Sequence, residues 1–299
     1  MMPPTDEGSA PGGTAAVKTS LDPELLDRLE RFYDAVPRRG ARAEEHGPLT
    51  LFIRDGEGWP YYARPTRGWD GCPVSVADVD AMRARQRELG IPESVEWVAE
   101  TTPALRAQVE AAGLEVQEHP LLVLLDGLGA GALRPAPAVG LDGQVSVRML
   151  GPDDDALPAA LALPQVAFAN PGVEVGVAGA ADVVAAVEAR VGAGWLRQVA
   201  ARLRAGVTGI AVAVDGGTVV CSGQYNLVDG TSEIVGVGTL PVARRRGLGT
   251  AVTAALVADV TARGATTVFL SASDDRVARI YTRLGFRRVG MALVAEPPS

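Results

Sequence analysis

The groups in this 299-residue chain best placed to do chemistry stand in one short run. Arg244, Arg245 and Arg246 precede Gly247, Leu248, Gly249 and Thr250, and an apolar stretch follows. In "LGTAVTAALVADVTAR" (248–263) Val252, Leu256 and Val260 recur at helical spacing and Gly264 is a stop signal, so a helix is expected to begin at the glycines. A helix start carries N–H groups with no partner and a partial positive charge of roughly half an elementary charge. Ser, Thr, Asp or Asn caps usually satisfy these groups, and none stands here. Three cations at such an end are unfavourable unless an anion arrives from outside, and glycines let one approach the backbone closely. The run therefore predicts a pyrophosphate cradle. A dinucleotide fingerprint is excluded. Six residues separate Leu240 from Gly247, Val252 stands where a third small residue is needed, and Val268–Phe269 occupy the acidic slot.

Elements on both sides must hold this run in place. Upstream, "TGIAVAVDGGTVVCSGQYNLVDGTSEIVGVGTL" reads as three strands separated by the tight-turn signals "DGG" and "DGT". Before them lie a strand at 144–150 and a helical region over 153–206, broken near Gly192 and Gly194. Downstream come a buried strand, "TTVFLSAS", and a helix, "DDRVARIYTRLG", whose stripe is Val277, Ile280, Tyr281 and Leu284 and whose stop is Gly285. "FRRVGMALVAE" closes the chain as strand. Strands and helices in this order predict a mixed α/β (α+β) sheet.

The first half repeats the end of this pattern. Aligning Gly113 with Gly285 lays "VEWVAETTPALRAQVEAAGLEVQ" on "TVFLSASDDRVARIYTRLGFRRV" without a gap, with Val109 in the place of Tyr281. "VSVADVDAMRARQRELG" (74–90) then matches the helix after the arginines. There Ser75 and Asp78 form a capping pair, so that helix start needs no anion. Two copies of one fold is the economical reading. It divides the chain into a disordered tail (1–19), a degenerate copy (20–125), a Gly/Pro/Ala-rich linker (126–143) and a second copy (144–299).

Composition narrows the function classes. Net charge is −8, so the bulk field favours neither nucleic acid nor anionic membrane, and the arginines lack the aromatic surround of a nucleic-acid site. The sole lysine is Lys18, which excludes a P-loop or Schiff-base lysine in the folded part. Cys72 and Cys221 make no CxxC pair, and His46 and His119 both lie in the first half, so neither a zinc cluster nor a Ser-His-Asp triad can assemble within the second half. No apolar run approaches the ~20 residues that span a bilayer, and the N-terminus has no apolar signal region. A cytoplasmic protein, monomer or homodimer, is expected.

Arg244-x-x-Gly247-x-Gly249 after a strand, with "DDRVARIYTRLGF" downstream, resembles the acetyl-CoA-binding motif and following helix of the GNAT superfamily of N-acetyltransferases. The resemblance covers residues 145–299, and the duplication with a degenerate first copy is similar to tandem GNAT proteins. It implies two GNAT-like domains, each a mostly antiparallel sheet flanked by helices. It also implies direct acetyl transfer from acetyl-CoA to a small-molecule or peptide amine, without a metal. Cofactor contacts would fall on main-chain groups of Val237, Thr239 and Leu240, on residues 244–250, and on Ser273. Tyr281 is implied as the acid for the leaving thiolate, with a core tyrosine as the plain alternative. Glu233, near the start of the central strand, is the candidate base, against a solvated strand-end carboxylate. Asp274 and Val277 depart from the family's usual Asn and Ala, which affects the expected Asn contact to CoA. A non-catalytic CoA-binding regulatory module is the alternative function.

Overall fold

A computed structural model describes residues 22–125 and 145–298. The tail and linker expected at 1–19 and 126–143 lie outside the described residues. The first half runs α1 (Pro23–Arg38), β1 (Ala41–His46), β2 (Leu49–Arg54), β3 (Arg64–Pro65), α2 (Val76–Glu88), β4 (Val95–Val98), α3 (Leu105–Ala111) and β5 (Glu115–Leu125). The second half runs β6 (Val145–Met149), α4 (Leu157–Ala169), α5 (Ala180–Arg190), α6 (Ala193–Arg204), β7 (Thr208–Asp215), β8 (Thr218–Val228) and β9 (Thr231–Thr239). It ends with α7 (Leu248–Ala262), β10 (Thr267–Ser271), α8 (Asp275–Thr282) and β11 (Arg287–Glu296). The mixed α/β class expected from the sequence is the class observed.

The repeat is visible in the element starts. Val76 and Leu248, Val95 and Thr267, and Glu115 and Arg287 each open corresponding elements 172 positions apart. Gly113 and Gly285 both take the left-handed backbone that ends a helix, with φ of 81° and 93°. Pairing, however, crosses between the copies. β1, β2 and β3 form a small sheet, while the large sheet runs β4-β11-β5-β10-β9-β8-β7-β6. Thus β11 lies between the two last strands of the first half, and β5 lies between the two last strands of the second. Each copy's final strand completes the other copy's sheet.

Burial explains why the exchange holds. Leu293 and Ala295 of β11 are buried with Trp97, Leu105 and Val109 in the first-half core. Leu122 and Leu124 of β5 are buried with Leu270, Tyr281 and Phe286 in the second-half core. Each fully buried Leu contributes roughly 1.5–3 kcal/mol, so withdrawing either strand would cost both cores. A third core joins the halves. Leu25, Leu29, Phe32 and Tyr33 of α1, spaced as one helical face, pack on Val98, Leu121, Phe269 and Val228 from four strands of the large sheet. A loop contact adds to this joint. The Glu57 carboxylate accepts the Trp195 N–H at the start of α6 (3.1 Å), where a side chain on Gly192 would collide with it.

Candidate functional site

The structure brings together the uncapped helix start and an opening in the sheet. α7 begins at Gly247, which has φ 74° and no side-chain cap. Its first helical bond runs from Ala251 N to Gly247 O (3.0 Å), leaving the N–H groups of Leu248, Gly249 and Thr250 ahead of it without helical partners. Arg245 also has positive φ, 68°. A non-glycine residue held there costs of order 1–3 kcal/mol, and such strain concentrates where backbone N–H groups are turned toward a ligand. In the first copy, Ser75 accepts from Asp78 N and Asp78 from Ser75 N, the expected capping box. The two helix starts therefore differ as the sequence predicted.

The arginine triplet is not a uniform cluster of phosphate-facing cations. Arg244 turns back to α4, donating to the carbonyls of Ala167 (3.1 Å), Glu174 (3.3 Å) and Asn170. Its charge thus satisfies the C-terminal end of that helix. Arg246 pairs with Asp215 of β7 (2.7 Å). Arg245 alone of the three is exposed. Leu248 is buried, so only its main chain faces the cradle.

The opening follows from strand pairing. Among the described residues, β9 and β10 form the one parallel pair of the large sheet, and the pairing stops at Phe269↔Glu233. Beyond Glu233, β9 runs on to Thr239 with no strand on its β10 side among the described residues. A register shift opposite Ser222/Gln224, where Gly236 takes φ 63°, bends β9 in this stretch. Val237 and Thr239 face α7: a side chain started at Gly249 would meet Thr239 Oγ1 at 3.7 Å and Val237 Cγ1 at 3.9 Å. The Leu240 main chain is committed elsewhere, its N–H to Val220 O (2.9 Å) and its C=O to Ala243 N (2.8 Å). Ser273 is exposed between β10 and α8, and neighbouring Asp274 caps α8 by accepting from Val277 N (2.8 Å). The carboxylate at this departure from the family pattern is thus used within the helix.

Tyr281 lies on α8, buried and edge-on to Phe286 (centroids 6.1 Å apart). Burial, with Cys221 nearby, pushes its phenol well above the usual tyrosine range, so it stays protonated. Burial likewise pushes the Cys221 thiol up to about 12, and Thr239 Oγ1 donates to its sulfur (3.2 Å). A thiol so placed is a poor nucleophile.

Glu233 lies at the closed end of the opening, on the other face of the sheet, against α1. Burial and the Glu96 carboxylate raise its pKa to about 8, while Arg64 and the Tyr33 hydroxyl oppose the shift. Arg64, itself buried, bonds Glu96 (2.7 Å), lies 3.7 Å from Glu30 and stacks 4.0 Å over the Tyr33 ring. The folded state holds the Glu233 proton more tightly than the unfolded chain, where the carboxyl has its ordinary value of 4.5. This group's contribution to stability is therefore complete below pH 4.5 and falls as pH rises toward 8, at most about 1.4 kcal/mol per pH unit. Glu233→Gln should gain stability on the wild type across that window and gain no more above it. Denaturant midpoints for both proteins at a series of pH values check this, and a constant difference would mean an ordinary surface carboxylate.

Nothing local in the sequence marks Tyr33 or Arg64. The available signal was a carboxylate in an apolar strand, Glu96 between Val95 and Trp97.

Comparison with known proteins matches this architecture. The model of the FR47-like protein family matches residues 224–293, from β8 through most of β11. Among solved structures, a GCN5-related N-acetyltransferase from Kribbella flavida is similar over 92% of this chain and 96% of its own, at 22% identity and a TM-score of 0.62. One from Sphaerobacter thermophilus matches over 91% and 86%, at 18% identity and a TM-score of 0.55. A tandem GNAT protein from the clavulanic acid biosynthesis pathway matches over 84% and 79%, at 15% identity and a TM-score of 0.51. No curated protein matches the chain by sequence. The fold is that of the GCN5-related N-acetyltransferases. The family-model match falls on the strands and helices that frame the opening.

Proposed function

We propose that the protein is an acetyl-CoA-dependent N-acetyltransferase acting on a primary amine by direct transfer, with the second copy (144–299) catalytic and the first (20–125) without a cofactor cradle. The observation that carries this reading is the unpaired edge of β9 beside the uncapped start of α7. The residues present fit the co-substrate: N–H groups of Leu248, Gly249 and Thr250 suit a pyrophosphate, and the free edge of β9 near Val237 and Thr239 suits an extended amide chain. Arg245 and Ser273 flank that path, and Arg244 and Arg246 hold its walls. When bound, acetyl-CoA supplies an activated thioester.

The chain's own residues then manage protons. An amine enters as its ammonium ion and must lose a proton before its nitrogen can attack. Glu233 in its carboxylate form takes that proton, and a base with pKa near 8 is well matched to the task. The C–N bond forms as the C–S bond breaks, and Tyr281 Oη holds the proton the departing sulfur requires. The proton left on the new amide nitrogen restores the phenol. The balance is ammonium plus thioester giving amide, thiol and one released proton.

Two measurements on the full chain test the reading. Acetyl-CoA at 100 times its dissociation constant should raise stability by ~2.7 kcal/mol. A screen of amines, amino acids, aminoglycosides and peptides should then release thiol with at least one acceptor. Stabilisation without thiol release across the screen would favour a regulatory CoA-binding module. No stabilisation would remove the cradle altogether.

A further inference from the structure

The buried polar cluster behind Glu233 belongs almost wholly to the first half. Tyr33 comes from α1, Arg64 from β3 and Glu96 from β4, and the Tyr33 ring lies edge-on to Phe269 (centroids 5.3 Å apart), the cross-strand partner of Glu233 on β9 of the other copy. Tyr33 OH and Arg64 Nη2 are both buried and lack a hydrogen bond of good geometry to any protein atom, though Arg64 retains its ion pairs. Buried polar groups of this kind are costly, so their persistence needs a reason beyond packing.

We propose that Tyr33, Arg64 and Glu96 are positioning residues for Glu233, so that the first copy serves as the jaw that orients the base of the second copy's site and sets its charge. This rests on the acetyltransferase reading above and adds a role for the degenerate half. Among the described residues its cross-strand partners are Phe269 and Asn226, whose Oδ1 accepts from Arg202 (2.5 Å), and α4 carries no ionisable side chain. Glu30 of α1 reaches the cluster through Arg64. The Tyr33 hydroxyl can donate to the Glu233 carboxylate and favours the charged form, whereas Glu96 is a like charge that favours the neutral one. Arg64, shared with Glu96, sets the balance. An ammonium entering beside Glu233 would tip it toward the carboxylate, the carboxyl proton leaving to solvent as the cation binds, and the carboxylate is then free to take a proton from the amine.

The test uses the full chain and two conservative variants, Tyr33→Phe and Glu96→Gln, which keep shape and burial. Glu233 is titrated through its infrared carboxyl band, assigned by difference from Glu233→Gln, and acetyl-CoA affinity is measured by calorimetry on each protein. Tyr33→Phe should raise the Glu233 midpoint and Glu96→Gln should lower it, each by about one unit, with acetyl-CoA affinity within a few-fold of wild type. With an acceptor in hand, the acid limb of kcat/KM should move with these midpoints. Equal Glu233 titration in wild type and both variants would overturn the assignment. Failure of the wild type to bind acetyl-CoA would overturn the reading of the site itself, whatever the titration gives, so the two failures are distinguishable.

Discussion

Replacing Tyr281 by phenylalanine is expected to slow acetyl transfer by ~10²–10⁴-fold while leaving acetyl-CoA affinity unchanged. The ring keeps its contact with Phe286 and its place in the second-half core, so α8 and the sheet opening persist. Only the hydroxyl is lost, and with it, on the proposed mechanism, the proton for the departing sulfur. The rate loss corresponds to about 3–5 kcal/mol of barrier. A phenol held well above its ordinary pKa by burial is a weak acid, but the thiolate forms in the same desolvated surroundings, where burial raises a sulfur's basicity as it does that of Cys221. Acetyl-CoA binding and single-turnover transfer, measured on the same variant, separate the roles. Turnover within a few-fold of wild type would return Tyr281 to the core as a packing residue.

Gly249→Val should cut acetyl-CoA affinity by at least about 100-fold, or about 2.7 kcal/mol, in a protein that still folds. The first side-chain carbon fits, being 3.7 Å from Thr239 Oγ1 and 3.9 Å from Val237 Cγ1. The two methyls beyond it fill the space between α7 and the free edge of β9. The helix does not suffer, because Val has a higher helix propensity than Gly by a few tenths of a kcal/mol. Calorimetric titration of acetyl-CoA, beside a thermal melt to show folding, decides the matter. Wild-type affinity in the folded variant would place the co-substrate elsewhere.

The sequence alone determined the features that rest on local chemistry. Helical spacing, the glycine stops at Gly113 and Gly285, and the turn signals between β7, β8 and β9 act over a few residues and could be read one by one. The contrast between the Ser75-capped start of α2 and the uncapped start of α7 was legible for the same reason, since a cap is a choice of side chain within one turn. The repeat could be aligned because Val76, Val95 and Glu115 keep their spacing to Leu248, Thr267 and Arg287.

Tertiary structure alone decided how the copies share strands and where the charges go. β5 and β11 have alternation and length that suit either copy, and only the burial of Leu293 with Trp97 and of Leu122 with Phe286 selects the crossed pairing. Arg244 and Arg246 looked like phosphate ligands beside their glycines. They are instead bound to the end of α4 and to Asp215, partners more than thirty positions away. The raised pKa of Glu233 likewise comes from burial and from Glu96, more than a hundred positions upstream. Burial and Coulomb interactions depend on distance in space, and in this chain α1, β3 and β4 come to β9 only when the large sheet closes around them.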